Sequence, residues 1–178
     1  MKEDASIAPP GESPPTMRQS GVVATIVVIA VAGFILIGHA LRIAPTYAGL
    51  LFFWYWAAID KARFAAMPAA LIGSMGGTCM AWLLQTFAHQ QNNVGLCVAL
   101  IFIVVAIFIQ IAELVPIAIN LPFMLFLTAC GAPLLQDRED FPMVLIVIML
   151  SALYFGSIVL VVNLLQRGTG TNSEKRKG

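Results

Sequence analysis

Residues 97 to 135 read CVALIFIVVAIFIQIAELVPIAINLPFMLFLTACGAPLL, thirty-nine residues with Glu113 as the one charge. As a single α-helix this stretch would be roughly 58 Å long at 1.5 Å per residue, about twice a hydrocarbon core of roughly 30 Å. It must therefore turn back on itself. Pro116 and Pro122 bracket the segment PIAINLP. Their missing amide donors, and the restriction each places on the residue before it, put the break there. Two membrane-crossing segments follow, Val94 to Leu114 and Ile117 to Leu135, with Glu113 at a membrane surface where the first of them ends.

The rest of the chain has the same character. Of 178 residues, 60% are hydrophobic and 11% charged, and the mean hydropathy is +0.89, far from the roughly one-quarter charged share of soluble domains. The apolar runs do not alternate with polar residues, so they read as helices and not as barrel strands. Further spans are expected at Gly21 to Leu41, Ala44 to Ile59, Ala65 to Phe87 and Pro142 to Leu165. The fold class is thus all-α, a polytopic membrane bundle of about six spans over 21–166. The second segment is short enough to be re-entrant, because sixteen residues reach only about 24 Å. Residues 1–20 hold four prolines and five charges and read as a disordered tail, with no soluble domain ahead of the first span. Residues 167–178 read as a basic disordered tail.

Lysine and arginine concentrate on the cytoplasmic side of membrane proteins. With six spans and the N-terminus inside, Lys2, Arg18, Lys61, Arg63, Arg167, Lys175, Arg176 and Lys177 are cytoplasmic, which leaves Arg42 and Arg138 outside. Both termini are expected in the cytoplasm. The net charge of +1 comes from tails and short connections, so nucleic acid is excluded as a partner.

Chemistry-bearing motifs are sparse. Cys79, Cys97 and Cys130 are far apart and lack partners at metal-ligand spacing. The glycines of IGSMGG, Gly73, Gly76 and Gly77, have no accompanying lysine and lie within an apolar run. The expectation is a protein that is not an enzyme and holds no cofactor. Ionisable residues at mid-span mark proton relays and ion coupling, and none is present; His39 and Glu113 fall near span ends. Hydroxyl residues such as Thr25, Ser74, Thr78, Thr128, Ser151 and Ser157 can bond their own helices.

Two features remain. Ala69, Gly73, Gly77 and Ala81 recur every four residues, a stripe of small side chains that lets another backbone approach closely in lipid. It is a candidate seam for packing within the chain or between copies in a homo-oligomer. The stretch LFFWYWAAIDKAR, Leu51 to Arg63, carries five consecutive aromatics that spread around the helix. Phe52, Tyr55 and Trp56 can share a side by their three- and four-residue spacing. With Glu113 they are the candidate pathway or constriction residues; the alternative is an aromatic belt at the inner headgroup level.

Pro45 and Gly49, the aromatic second span with Trp54 and Trp56, Gly73 and Gly77 of the third span, Pro122 and the small-residue last span together resemble small bacterial inner-membrane proteins of the YcdZ type, a family of uncharacterised function. In place of the glycines that follow the aromatic segment in that family, this chain has Asp60-Lys61-Ala62-Arg63. More distantly, short aromatic spans beside glycine-rich ones look like half of a urea-channel-type repeat. The resemblance implies a multi-pass protein of the bacterial cytoplasmic membrane and an oligomeric channel. The functional expectation is a channel or facilitator for a small neutral or weakly polar solute, without ion coupling. The alternative is a non-catalytic accessory subunit of a larger membrane assembly.

Overall fold

A computed structural model describes the backbone of residues 17–89, 93–132 and 139–174. The described chain is helical and forms six helices in order: α1 (Met17–Ala40), α2 (Thr46–Ala58), α3 (Met67–His89), α4 (Asn93–Ile111), α5 (Leu121–Cys130) and α6 (Phe141–Glu174). Four of them are long and apolar enough to cross a membrane, over Gly21–Ala40, Met67–Phe87, Asn93–Ile111 and Phe141–Leu164. The other two are short. At 1.5 Å per residue the thirteen residues of α2 rise about 20 Å and the ten of α5 about 15 Å. The last helix continues to Glu174, into the segment read from sequence as a tail, and residues 1–16 of the N-terminal segment lie outside the described residues.

Local chemistry sets these boundaries. The break expected at PIAINLP occurs: α4 ends at Ile111, and α5 begins after Asn120, whose side chain accepts a bond from the Phe123 amide while Pro122 sits in the first turn. Pro68 and Pro142 likewise occupy the second residues of α3 and α6, where no amide is needed. Helices α1 and α4 are closed in the same way. Arg42 (φ 54°) and Glu113 (φ 51°) adopt the left-handed conformation, and the following amides, of Ile43 and Leu114, return to the carbonyls of Gly38 and Ile109.

Contacts between helices fix their relative directions. Ser151 of α6 meets Gly49 of α2, and one turn on Phe155 stacks on Phe53 at 3.9 Å, so α2 and α6 are parallel. Asn120 meets Gly73, and one turn on Phe123 and Leu127 meet Gly77, so α5 and α3 are parallel and form the most extensive helix pair. Helix α1 opposes α6: Tyr154 donates to the Ala30 carbonyl, whereas Phe34, farther along α1, packs over Gly49, the partner of Ser151. Six helices thus alternate in direction.

This order, long-short-long followed by long-short-long, is a repeat. A shift of 74 residues carries Val31, Ala32, Phe34, Ile35 and Ile37 onto Val105, Ala106, Phe108, Ile109 and Ile111. The same shift carries Leu51-Phe52 onto Leu125-Phe126, Pro68 onto Pro142, Leu71-Ile72 onto Leu145-Ile146 and Met75 onto Met149. It also carries two close helix–helix contacts onto each other: Gly77 lies on the Phe123 carbonyl, and Ser151 bonds the Gly49 carbonyl. Each unit lends its short helix to the long third helix of the other. Three alternating helices return the chain in the opposite sense, so the second unit is inverted relative to the first.

Candidate functional site

The repeat relation places Phe52 and Phe126 at one position in two units, and both are fully buried in the same core cluster. That cluster also holds Ala48 and Tyr55 of α2, Ala70 and Ala81 of α3, Phe123, Leu127 and Cys130 of α5, and Val144, Ile148 and Ala152 of α6. A second cluster joins Trp56 to Ala30 and Phe34 of α1 and Val147 and Phe155 of α6. The three aromatic candidates are therefore divided: Phe52 and Tyr55 face the centre, and Trp56 faces α1 and α6. Trp56 is fully buried, donates its indole Nε1–H to the Arg63 carbonyl at 3.0 Å, and meets the Phe64 ring edge-on. It fastens the α2–α3 turn to the core. Its neighbour Trp54 is 58% exposed. With Tyr55 and Ile59 it lines a hollow of about 340 Å³ whose far wall is Leu121, Met124, Leu125 and Thr128 of α5.

Glu113 is exposed and apart from the aromatics. With Gln110, Pro116, Ile119, Asn120 and Leu121 it lines a polar cleft of about 360 Å³ at the end of α4. Leu121 is shared by this cleft and the α2–α5 hollow.

The small-residue stripe lies against α5 of the same chain. The Asn120 side chain fills the space a Gly73 side chain would need and donates its Nδ2–H to the Ala69 carbonyl at 2.8 Å. Gly77 lies directly on the Phe123 backbone, and Ala81 is fully buried. Asn120, not singled out from sequence, is the polar pin of this seam; its place two residues before Pro122, at a helix start, was the available signal. Of the hydroxyls, Thr25, Ser74, Thr78 and Thr128 donate to carbonyls four residues back in their own helices. Ser151 instead reaches across to α2, at 2.6 Å from the Gly49 carbonyl.

At the opposite end from the Glu113 cleft, the Tyr47 hydroxyl is buried without a hydrogen bond of ordinary geometry. It is near enough to the Glu139 carboxyl to favour its charged form, but burial outweighs this and pushes that carboxyl up, with Asp140 adding repulsion. Burial likewise pushes the Asp60 carboxyl up, opposed by Arg63. Among the described residues, no three or more His, Cys, Asp or Glu side chains gather as metal ligands.

Comparison with known proteins returns no match among family models, curated proteins or solved structures. The site's own residues are an apolar centre that holds Phe52 and Phe126, with a polar cleft at one end and Tyr47 and Glu139 at the other.

Proposed function

We propose that this chain is a membrane facilitator for a small neutral or weakly polar solute, working without ion coupling through two inverted three-helix units. The carrying observation is that an unusually short helix occupies the same place in both units. Membrane transporters built from inverted repeats place their solute at the interface of the repeats, near interrupted helices, and move it by rocking one repeat against the other. In this reading all six helices cross, α2 and α5 being supported by the long helices around them, and both termini lie on the cytoplasmic side of a bacterial cytoplasmic membrane, in keeping with the lysine and arginine distribution. The lack of an ionisable side chain at mid-height favours passive movement. The burial of Phe52 and Phe126 favours a unit that opens by rearrangement over a permanently open pore. In this reading the polar Glu113 cleft is the cytoplasmic mouth. The exposed hollow between α2 and α5 is where copies associate, because short helices are relieved of hydrophobic mismatch by oligomerising.

The test is flux of urea, glycerol and short-chain acids into proteoliposomes. Flux should exceed that of empty liposomes for at least one solute and should not respond to a proton or sodium gradient. Met67 packs on Gly156 where α3 crosses α6, so a thiol cross-link between Met67→Cys and Gly156→Cys, with Cys79, Cys97 and Cys130 replaced, should halt it. Background flux for every solute overturns the reading.

A further inference from the structure

Helix α1 leaves the bundle over its N-terminal half. From Ala30 onward it is held: Tyr154 donates to the Ala30 carbonyl, Phe34 packs on Tyr154 and Phe155, and Gly38 receives Thr46. Between Val22 and Ala30 it diverges and opens a groove of about 430 Å³, walled on the other side by Phe53 and Ala57 of α2 and Phe155 and Val162 of α6. The volume lies within the ordinary range for ligand sites, roughly 300–1,000 Å³. Lys61 closes the end of the groove nearest the start of α1 and, among the described residues, is the one charged residue lining it.

The second unit shows what this space would be if protein filled it. Gly95 of α4 stands 74 residues after Gly21 of α1. A side chain at Gly95 would lie 2.5 Å from the Phe87 ring, because α4 is shut against α3; at Gly21 nothing lies within 4 Å. One seam is closed by the chain and its counterpart is open.

An occupant of the open seam must be apolar along the rise from Val22 to Ala30, about 12 Å. At the membrane surface it must present a negative charge to the Lys61 ammonium. We infer that the groove between α1, α2 and α6 is a binding site for one anionic phospholipid, its acyl chain along Val22–Ala30 and Phe53 and its phosphate at Lys61. Basic residues at the cytoplasmic mouth of grooves between membrane helices bind anionic headgroups in this way. The exposed, left-handed Lys61 (φ 52°) sits on the α2–α3 turn that Trp56 anchors, so the cation has a fixed base. The inference rests on the chain lying in a bilayer and does not depend on transport.

The test is native mass spectrometry of the full chain released from nanodiscs holding equal phosphatidylglycerol and phosphatidylcholine of the same acyl composition. The wild type should retain one phosphatidylglycerol per chain with a preference on the order of fivefold, the worth of one basic residue near a charged headgroup. Lys61→Ala should abolish the preference at unchanged thermal stability, and Lys61→Arg should keep it. Ala57→Trp, which fills the groove, should reduce retention of both lipids. Equal retention by the wild type, or a preference that survives Lys61→Ala, overturns the inference. So does chain-to-chain cross-linking of Gly21→Cys in a background lacking the native cysteines, since the occupant would then be a second copy.

Discussion

Ser151 of α6 donates to the Gly49 carbonyl of α2 at 2.6 Å, and this bond occupies the position at which, in the other unit, Gly77 of α3 rests on the Phe123 carbonyl of α5. One geometry is thus met by two chemistries: a hydroxyl that bonds the neighbouring backbone, and a missing side chain that lets the backbone touch.

The two versions should respond differently to substitution. Ser151→Ala loses one buried hydrogen bond, and its expected cost is about 1 kcal/mol. Gly49→Leu should cost more, about 3 kcal/mol, since its Cβ alone would lie 2.5 Å from the Phe34 ring and 3.1 Å from the Ser151 Cβ. Thermal unfolding in mild detergent ranks the two; equal losses would mean that α1 yields to make room.

At the α3–α5 seam, Gly77→Leu and Gly73→Leu should both lower stability, Gly77→Leu the more. Gly77 meets backbone, which cannot move aside, whereas Gly73 meets the Asn120 side chain. Gly73→Ala and Asn120→Ala should therefore couple. The double variant should be more stable than the two single losses imply by about 1 kcal/mol or more, because truncating Asn120 vacates the space the new methyl needs. Additive losses would show that Asn120 acts through its bond to the Ala69 carbonyl alone.

The all-helical class, the PIAINLP turn and the seam glycines were legible because each rests on a local rule: run length, missing amides and fourfold spacing. The repeat was present in the sequence as well, but identities such as Val31 with Val105 or Ile35 with Ile109 are cheap in apolar helices. It became decisive only when contacts such as Ser151–Gly49 and Gly77–Phe123 fell on the same shift. The division of Phe52 and Trp56 between two clusters was not legible, since spacing along one helix does not say which neighbour stands on each side.

Two tryptophans, Trp54 and Trp56, separated by Tyr55, give that division an optical readout. Trp56 is fully buried and Trp54 is 58% exposed. In single-tryptophan chains, with Trp82 and the other residue changed to Phe, brominated lipids should quench Trp54 strongly and Trp56 weakly. Trp56→Ala should cost about 3–5 kcal/mol, while Trp54→Ala should stay within about 1 kcal/mol of wild type unless copies pair through the α2–α5 hollow. Equal quenching would place Trp56 at the lipid surface and remove it from the core.

Glu139 offers a test by pH. Burial raises its carboxyl above the ordinary glutamate value near 4.5, with Tyr47 opposing and Asp140 adding to the shift. The folded chain then binds a proton more tightly than the unfolded chain. Stability contributed at this site should fall as pH rises from the ordinary value through the elevated one, and should stay low above it. Glu139→Gln removes the cost of holding a charge beside buried groups, so it should raise the melting temperature at neutral pH and flatten the profile across that acidic window. Tyr47→Phe, which removes the opposing hydroxyl, should act in the reverse direction at neutral pH and leave the acid limb unchanged. A wild-type profile that rises with pH over the same window would show instead that the charged carboxylate is the favoured form.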